Sequence, residues 1–86
     1  MDQVELKRWE FHGDGLVIFP EPSQVIKAYK LLQNAGIDGR VVTPHPKLRL
    51  GCCALGLEIS LAQQDDIERL FVAKDVDYGR IIPKQN

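Results

Sequence analysis

"ALGLEISL", residues 54–61, sets Leu55, Leu57, Ile59 and Leu61 against smaller or polar neighbours. A period of two reads as a strand with one apolar face. Working back from it, "IDGRVVT" (37–43) reads as another strand, stopped by Pro44. "EPSQVIKAYKLLQNAGI" (21–37) has helical period, with Val25, Tyr29 and Leu32 joined by Ala28 and Ala35 in one stripe. Ser23 is the expected N-cap, and Gly36 stands where a helix C-terminal glycine belongs. "GLVIFP" (15–20) is a compact apolar run ended by proline, the mark of a buried strand. Working forward, "QQDDIERLFVAK" (63–74) is a second helix, with Asp65 and Asp66 at its positive end and Ile67, Leu70 and Phe71 facing inward. "YGRIIP" (78–83) closes as a strand. The order β-α-β-β-α-β predicts an α+β, ferredoxin-like fold: a four-stranded antiparallel sheet, the third strand beside the first, both helices on one face.

Eighty-six residues make one small domain, read here as residues 13–86 behind an N-terminal extension over residues 1–12. The extension holds Val4, Leu6, Trp9 and Phe11, and Trp9 and Phe11 are costly to leave in water. It is therefore expected to be ordered against the body through Trp9. Eleven basic residues balance twelve acidic ones, for a net charge of -1. That balance gives no global pull toward nucleic acid or an anionic membrane. No apolar run approaches a membrane span, and the opening residues do not read as a secretory leader. The expected location is the cytoplasm, where thiols stay reduced.

The only two cysteines, Cys52 and Cys53, are adjacent. Consecutive Cα atoms lie about 3.8 Å apart, below the usual disulfide range of about 4.4–6.8 Å. A bridge between them would be strained and would close no useful loop. Parity of the third strand places Cys53 with Leu55, Leu57 and Ile59 toward the helices, half-sheltered, and Cys52 with Ala54, Gly56 and Glu58 on the other face. The topology brings the start of this strand to the edge where the first helix begins, near Ser23. Backbone donors and positive partial charge at such a terminus favour a thiolate. Lys47 and Arg49, in the long connection from Pro44 to Gly51, could add to that effect, and His45 lies in the same loop.

Plainer readings stand beside this one. Free cysteines usually pack as small hydrophobes. His45, Lys47 and Arg49 are most simply solvated loop residues, and Leu48 and Leu50 could mark a strand extension. His12, in "HGDG", reads as part of a turn. Zinc normally wants four ligands, and adjacent cysteines do not easily wrap one tetrahedral ion; His45 could supply a third ligand but nothing supplies a convincing fourth, which leaves a single Cu(I) or a site shared between two chains as the metal reading. No phosphate-cradling loop, Ser/His/Asp arrangement or paired-carboxylate signature stands out.

From Val17 to Pro83 the chain resembles a family of small bacterial and archaeal selenium/sulfur carrier-like proteins. The matching parts are "LVIFP", "AYKLLQNAGI", "TPHPKLRLGCC" and "ALGLEI". Aligned from the Pro-x-Pro start of the loop, the family's cysteine falls on Cys53. Ala54 replaces the usual glycine after it, and Cys52 replaces a small polar residue before it. The resemblance implies a non-enzymatic, cofactor-free thiol carrier that takes sulfur or selenium from one protein and delivers it to another. Cys53 would bear a persulfide-type adduct and Cys52 would serve as second thiol. Two other functions fit the residues: an interaction domain that homodimerises through the open sheet face around Ala54, Gly56 and Arg80, and a soft-metal-binding protein.

Overall fold

A computed structural model describes residues 11–49 and 53–84. Its strands are β1 (Gly15–Ile18), β2 (Arg40–Val42), β3 (Gly56–Ile59) and β4 (Arg80–Pro83), and its helices are α1 (Pro22–Asn34) and α2 (Gln64–Ala73). The sheet order is β2-β3-β1-β4. The third strand lies beside the first, every pairing is antiparallel, and the ferredoxin-like α+β arrangement holds. No helix of the described residues is long and apolar enough to cross a membrane.

Register explains which side chains meet. Val17 lies opposite Leu57 on one side and Ile81 on the other, with Val41 opposite Leu57 in turn. Those residues face the helices. Val17, Phe19, Leu57 and Ile59 form one buried cluster with Val25, Ala28 and Leu32 of α1 and Ile67 and Phe71 of α2. Because both helices cover this face, the even-numbered residues of β1 and β3 point to the other one. There Leu16 pairs with Glu58 and with Ile82, and Arg40 pairs with Glu58. Leu16 and Ile18 are nevertheless buried at the middle of this face, with 6% and 1% exposure, while Arg40 and Ile82 at its edges are half-buried.

Both helices end by the same device. Gly36, at φ 74°, lets its own N–H bond the Gln33 carbonyl and the Ile37 N–H bond that of Leu32. This double bond pattern closes a helix when the residue after the cap turns left-handed. Asp75, at φ 55°, does the same for α2, with Val76 bonded to Phe71.

Several local expectations change. Glu21, extended at φ -152° and ψ 153°, is the N-cap of α1; Pro22 fixes the first helical position and Ser23 falls inside the first turn. Ala35 is the exposed C-cap and no part of the buried stripe. Residues 46–48 wind into a 3-10 turn and form no strand extension. β3 starts only at Gly56, so Cys53 precedes the strand by three positions. The expected packing of Trp9, like Cys52, lies outside the described residues.

The two left-handed positions predict opposite effects. Nothing lies within 4 Å of a side-chain carbon added at Gly36, so Gly36→Ala costs only backbone strain. We expect a loss of about 1 kcal/mol for Gly36→Ala and a gain of about 0.5 kcal/mol for Asp75→Gly, read from urea unfolding midpoints.

Candidate functional site

The approach to Cys53 is shaped by the loop before it. His45 caps the 3-10 turn, its Nδ1 accepting the Lys47 N–H at 3.2 Å. Arg49 donates through Nε to the Pro44 carbonyl at 2.9 Å, which folds the loop back on itself. Pro44 is buried, and its Cγ would lie 3.3 Å from a side-chain carbon added at Gly56. The loop therefore seats against the first residue of β3, where a side-chain carbon would also lie 3.1 Å from the Val17 carbonyl and crowd its neighbours. Gly56 pairs with both Ile18 and Val42, so this end of the sheet is the end from which the chain leaves β1 for α1.

Cys53 is 2% exposed and belongs to the helix-side cluster with Val25 and Phe19. Parity gave its side correctly, but the thiol is fully buried and not half-sheltered. The odd-numbered side chains keep pointing inward before the ladder begins: Leu55 packs partly against the same cluster. The Cys53 thiol donates to the Leu55 carbonyl at 3.3 Å, a bond that only the protonated form makes. Ser23 is spent elsewhere, its hydroxyl donating to Glu21 at 2.7 Å. His45, Lys47 and Arg49 likewise make local contacts, and among the described residues none of the four hydrogen-bonds to Cys53.

A second centre lies on the opposite face of β3. Glu58 is 1% exposed, although charged residues are almost never fully buried unless paired. Its Oε2 meets Lys84 Nζ at 2.5 Å and Arg40 Nη2 at 3.4 Å. Its Oε1 accepts from the Gly13 N–H at 3.0 Å and from Arg40 Nε at 3.3 Å, with His12 Nδ1 at 3.9 Å. Gly13 can sit there because it has no side chain: a Cβ would run into the Ile59 carbonyl. Asp14 fastens the same segment, accepting the Leu61 N–H on its carboxylate at 2.7 Å and the Lys84 N–H on its carbonyl at 2.8 Å. His12, Gly13, Asp14 and Lys84 line an open cleft beside this cluster. Burial pushes the Glu58 carboxyl up, but the bonds from Lys84, Gly13 and Arg40 outweigh it and hold the group below its ordinary value of 4.5.

The sequence reading passed over Glu58 as an outward strand residue. Two signals were present: a lone carboxylate at the centre of an apolar strand, where Glu is depleted, and a facing strand that opens with Arg40.

One family's sequence model, described as "Putative Se/S carrier protein-like", matches residues 14–83. No curated protein and no solved structure matches the chain.

The lowered Glu58 value fixes the sign of its pH dependence. A carboxyl whose folded-state value is depressed contributes stability above its unfolded value and loses it as pH falls through the folded one. Stability should therefore decline as pH drops below 4.5. Glu58→Gln should cost about 1–3 kcal/mol at neutral pH and flatten that acid decline. Urea unfolding from pH 7 to pH 3 measures both, and a Gln variant with wild-type stability and slope would contradict the assignment.

Proposed function

The chain belongs to the Se/S carrier-like family, and from that premise we propose that it is a cytoplasmic, non-catalytic carrier whose Cys53 holds sulfur or selenium as a persulfide-type adduct. One observation supports it most: the matched span includes Cys53, buried in the helix-side cluster three residues before β3. Burial of the thiol suits such a role, since an adduct kept in the core is shielded from stray thiols and oxidants. Loading then requires the segment before β3 to lift, breaking the Sγ–Leu55 bond and freeing the thiol to lose its proton to water.

The exchange balances without a cofactor. The Cys53 thiolate attacks the outer sulfur of a donor persulfide, a new S–S bond forms, and the donor's own thiolate leaves. A nucleophile on the acceptor protein then takes the terminal sulfur, with Cys53 departing as thiolate. Cys52 offers a second exit: its attack on the inner sulfur expels hydrosulfide and leaves a strained Cys52–Cys53 disulfide, which a thiol reductant reopens. Partners on this reading are donor and acceptor proteins.

Intact-mass measurement after incubation with a small persulfide donor tests the reading. The wild-type protein should gain one sulfur, the Cys53→Ser protein should lose most of that gain, and the Cys52→Ser protein should keep the adduct longer. A wild-type protein that gains nothing is a domain whose cysteine only packs. An adduct carried by Cys52 alone assigns the cargo to the wrong residue, and a metal retained after purification without reductant points to soft-metal binding.

A further inference from the structure

The near-zero net charge hides a lateral split. Residues 22–49 carry five basic side chains, Lys27, Lys30, Arg40, Lys47 and Arg49, against one acidic, Asp38. Residues 59–83 reverse the balance, with three basic and five acidic. The fold keeps the two groups apart. α1 packs over β2 and β3, whereas α2 leads from β3 across to β4 at the other edge of the sheet. The β2 side is therefore the basic half of the molecule, and the α2–β4 side the acidic half.

The basic half includes the approach to Cys53. Ile18, Gly56 and Val42 lie side by side, so the start of α1, the end of β2 and the entry to β3 share one corner. Lys47 and Arg49 stand in the loop at that corner, and Lys30 on α1. Arg40 is spent on Glu58, but among the described residues Lys30, Lys47 and Arg49 form no ion pair. Gln24 and Lys27 bond the backbone of Asp77 and Asp75, just after α2, which marks the α2 side of the first helix. Val25, Ala28 and Leu32 point inward. At about 100° per residue, Ile26 and Lys30, one turn apart, then face away from α2 and toward the β2 side. Ile26 is 43% exposed there, an apolar side chain in a basic setting.

Granted that Cys53 is a carrier thiol, we propose that this corner is the docking surface for the protein that exchanges sulfur or selenium with it, and that the partner presents an acidic surface with an apolar centre. Ile26 meets the centre, and Lys30, Lys47 and Arg49 meet the carboxylates. Opposite charge across an interface raises the encounter rate, and like charge turns away a wrong approach. The acidic α2 side therefore helps to direct such a partner to the corner where the thiol is reached. A hand-over needs fast arrival and fast release more than tight binding, and exposed charges supply the first without preventing the second. The aliphatic side chain argues for a protein. Single-stranded nucleic acid is held by stacking on aromatic faces, and Tyr29, the ring on this helix, packs against the core.

Two short donor peptides test this, each with one cysteine persulfide and differing only in flanking aspartates or flanking lysines. In the Cys52→Ser protein, intact mass should show Cys53 loading several-fold faster from the acidic peptide at low ionic strength. The difference should vanish at about 1 M salt, where charges are screened beyond about 3 Å. Lys30→Glu combined with Lys47→Glu should abolish or reverse the preference, while Arg69→Glu, exposed on α2, should keep it, with native far-ultraviolet dichroism in both. Equal loading by the two peptides would overturn the proposal and leave the carrier function standing. No loading from either peptide or from a small persulfide donor would remove the carrier function and the partner with it. Two further results would also overturn the proposal by naming another occupant. One is a short single-stranded RNA that blocks loading more strongly than the acidic peptide without its persulfide. The other is salt-sensitive self-association in sedimentation, which would seat the acidic side of a second copy on the corner.

Discussion

β3 has to serve two interiors at once, and that constraint organises the molecule. Leu57 and Ile59 point into the helix-side cluster, while Gly56 and Glu58 point to the other face, where both are buried as well. A strand with period two cannot shift by one residue without exchanging these roles. A slip would drive a carboxylate into the apolar cluster and set two large aliphatic side chains beside Arg40 and Lys84. The register with β1 and β2 is therefore held by charge on one side and by packing on the other. The same alternation, continued three residues before the strand, carries the Cys53 thiol into the core.

The charged side of this arrangement is a hub and not a surface ion pair. Exposed pairs contribute little because water and salt screen them. Glu58 differs because every oxygen is engaged and its partners come from three places: β2, the end of β4 and the segment before β1. A buried carboxylate with complete hydrogen bonding is tolerable, and one with a partner removed is not. The hub thus ties both edges of the sheet to the chain entering it. Among the described residues no such tie acts on the thiol, which packs in the helix-side cluster and makes one bond to the Leu55 carbonyl.

What the sequence disclosed follows from the range of each interaction. Element order, the inward faces of both helices, the position of β3 beside β1 and the glycine that ends α1 are all local or periodic signals. For Glu58 the sequence held only hints, because its partners are 18, 26 and 45 residues away and meet it only once the register is set. The helix start moved from Ser23 to Glu21 because Pro22 fits the first helical position, leaving Ser23 one step too late to cap. Cys53 was placed on the correct side by parity. Its depth depended on Leu55 and the folded-back loop, which parity does not describe.

A carrier thiol stored in the core is the central claim, and its accessibility can be measured without any sulfur chemistry. In the Cys52→Ser protein, Cys53 is the only thiol, and its reaction with a small alkylating reagent can be followed in native buffer and at rising urea. The account predicts labelling far slower than in the unfolded chain, accelerating with urea well below the global unfolding midpoint as the segment before β3 opens. Labelling in native buffer as fast as in the unfolded chain would contradict it.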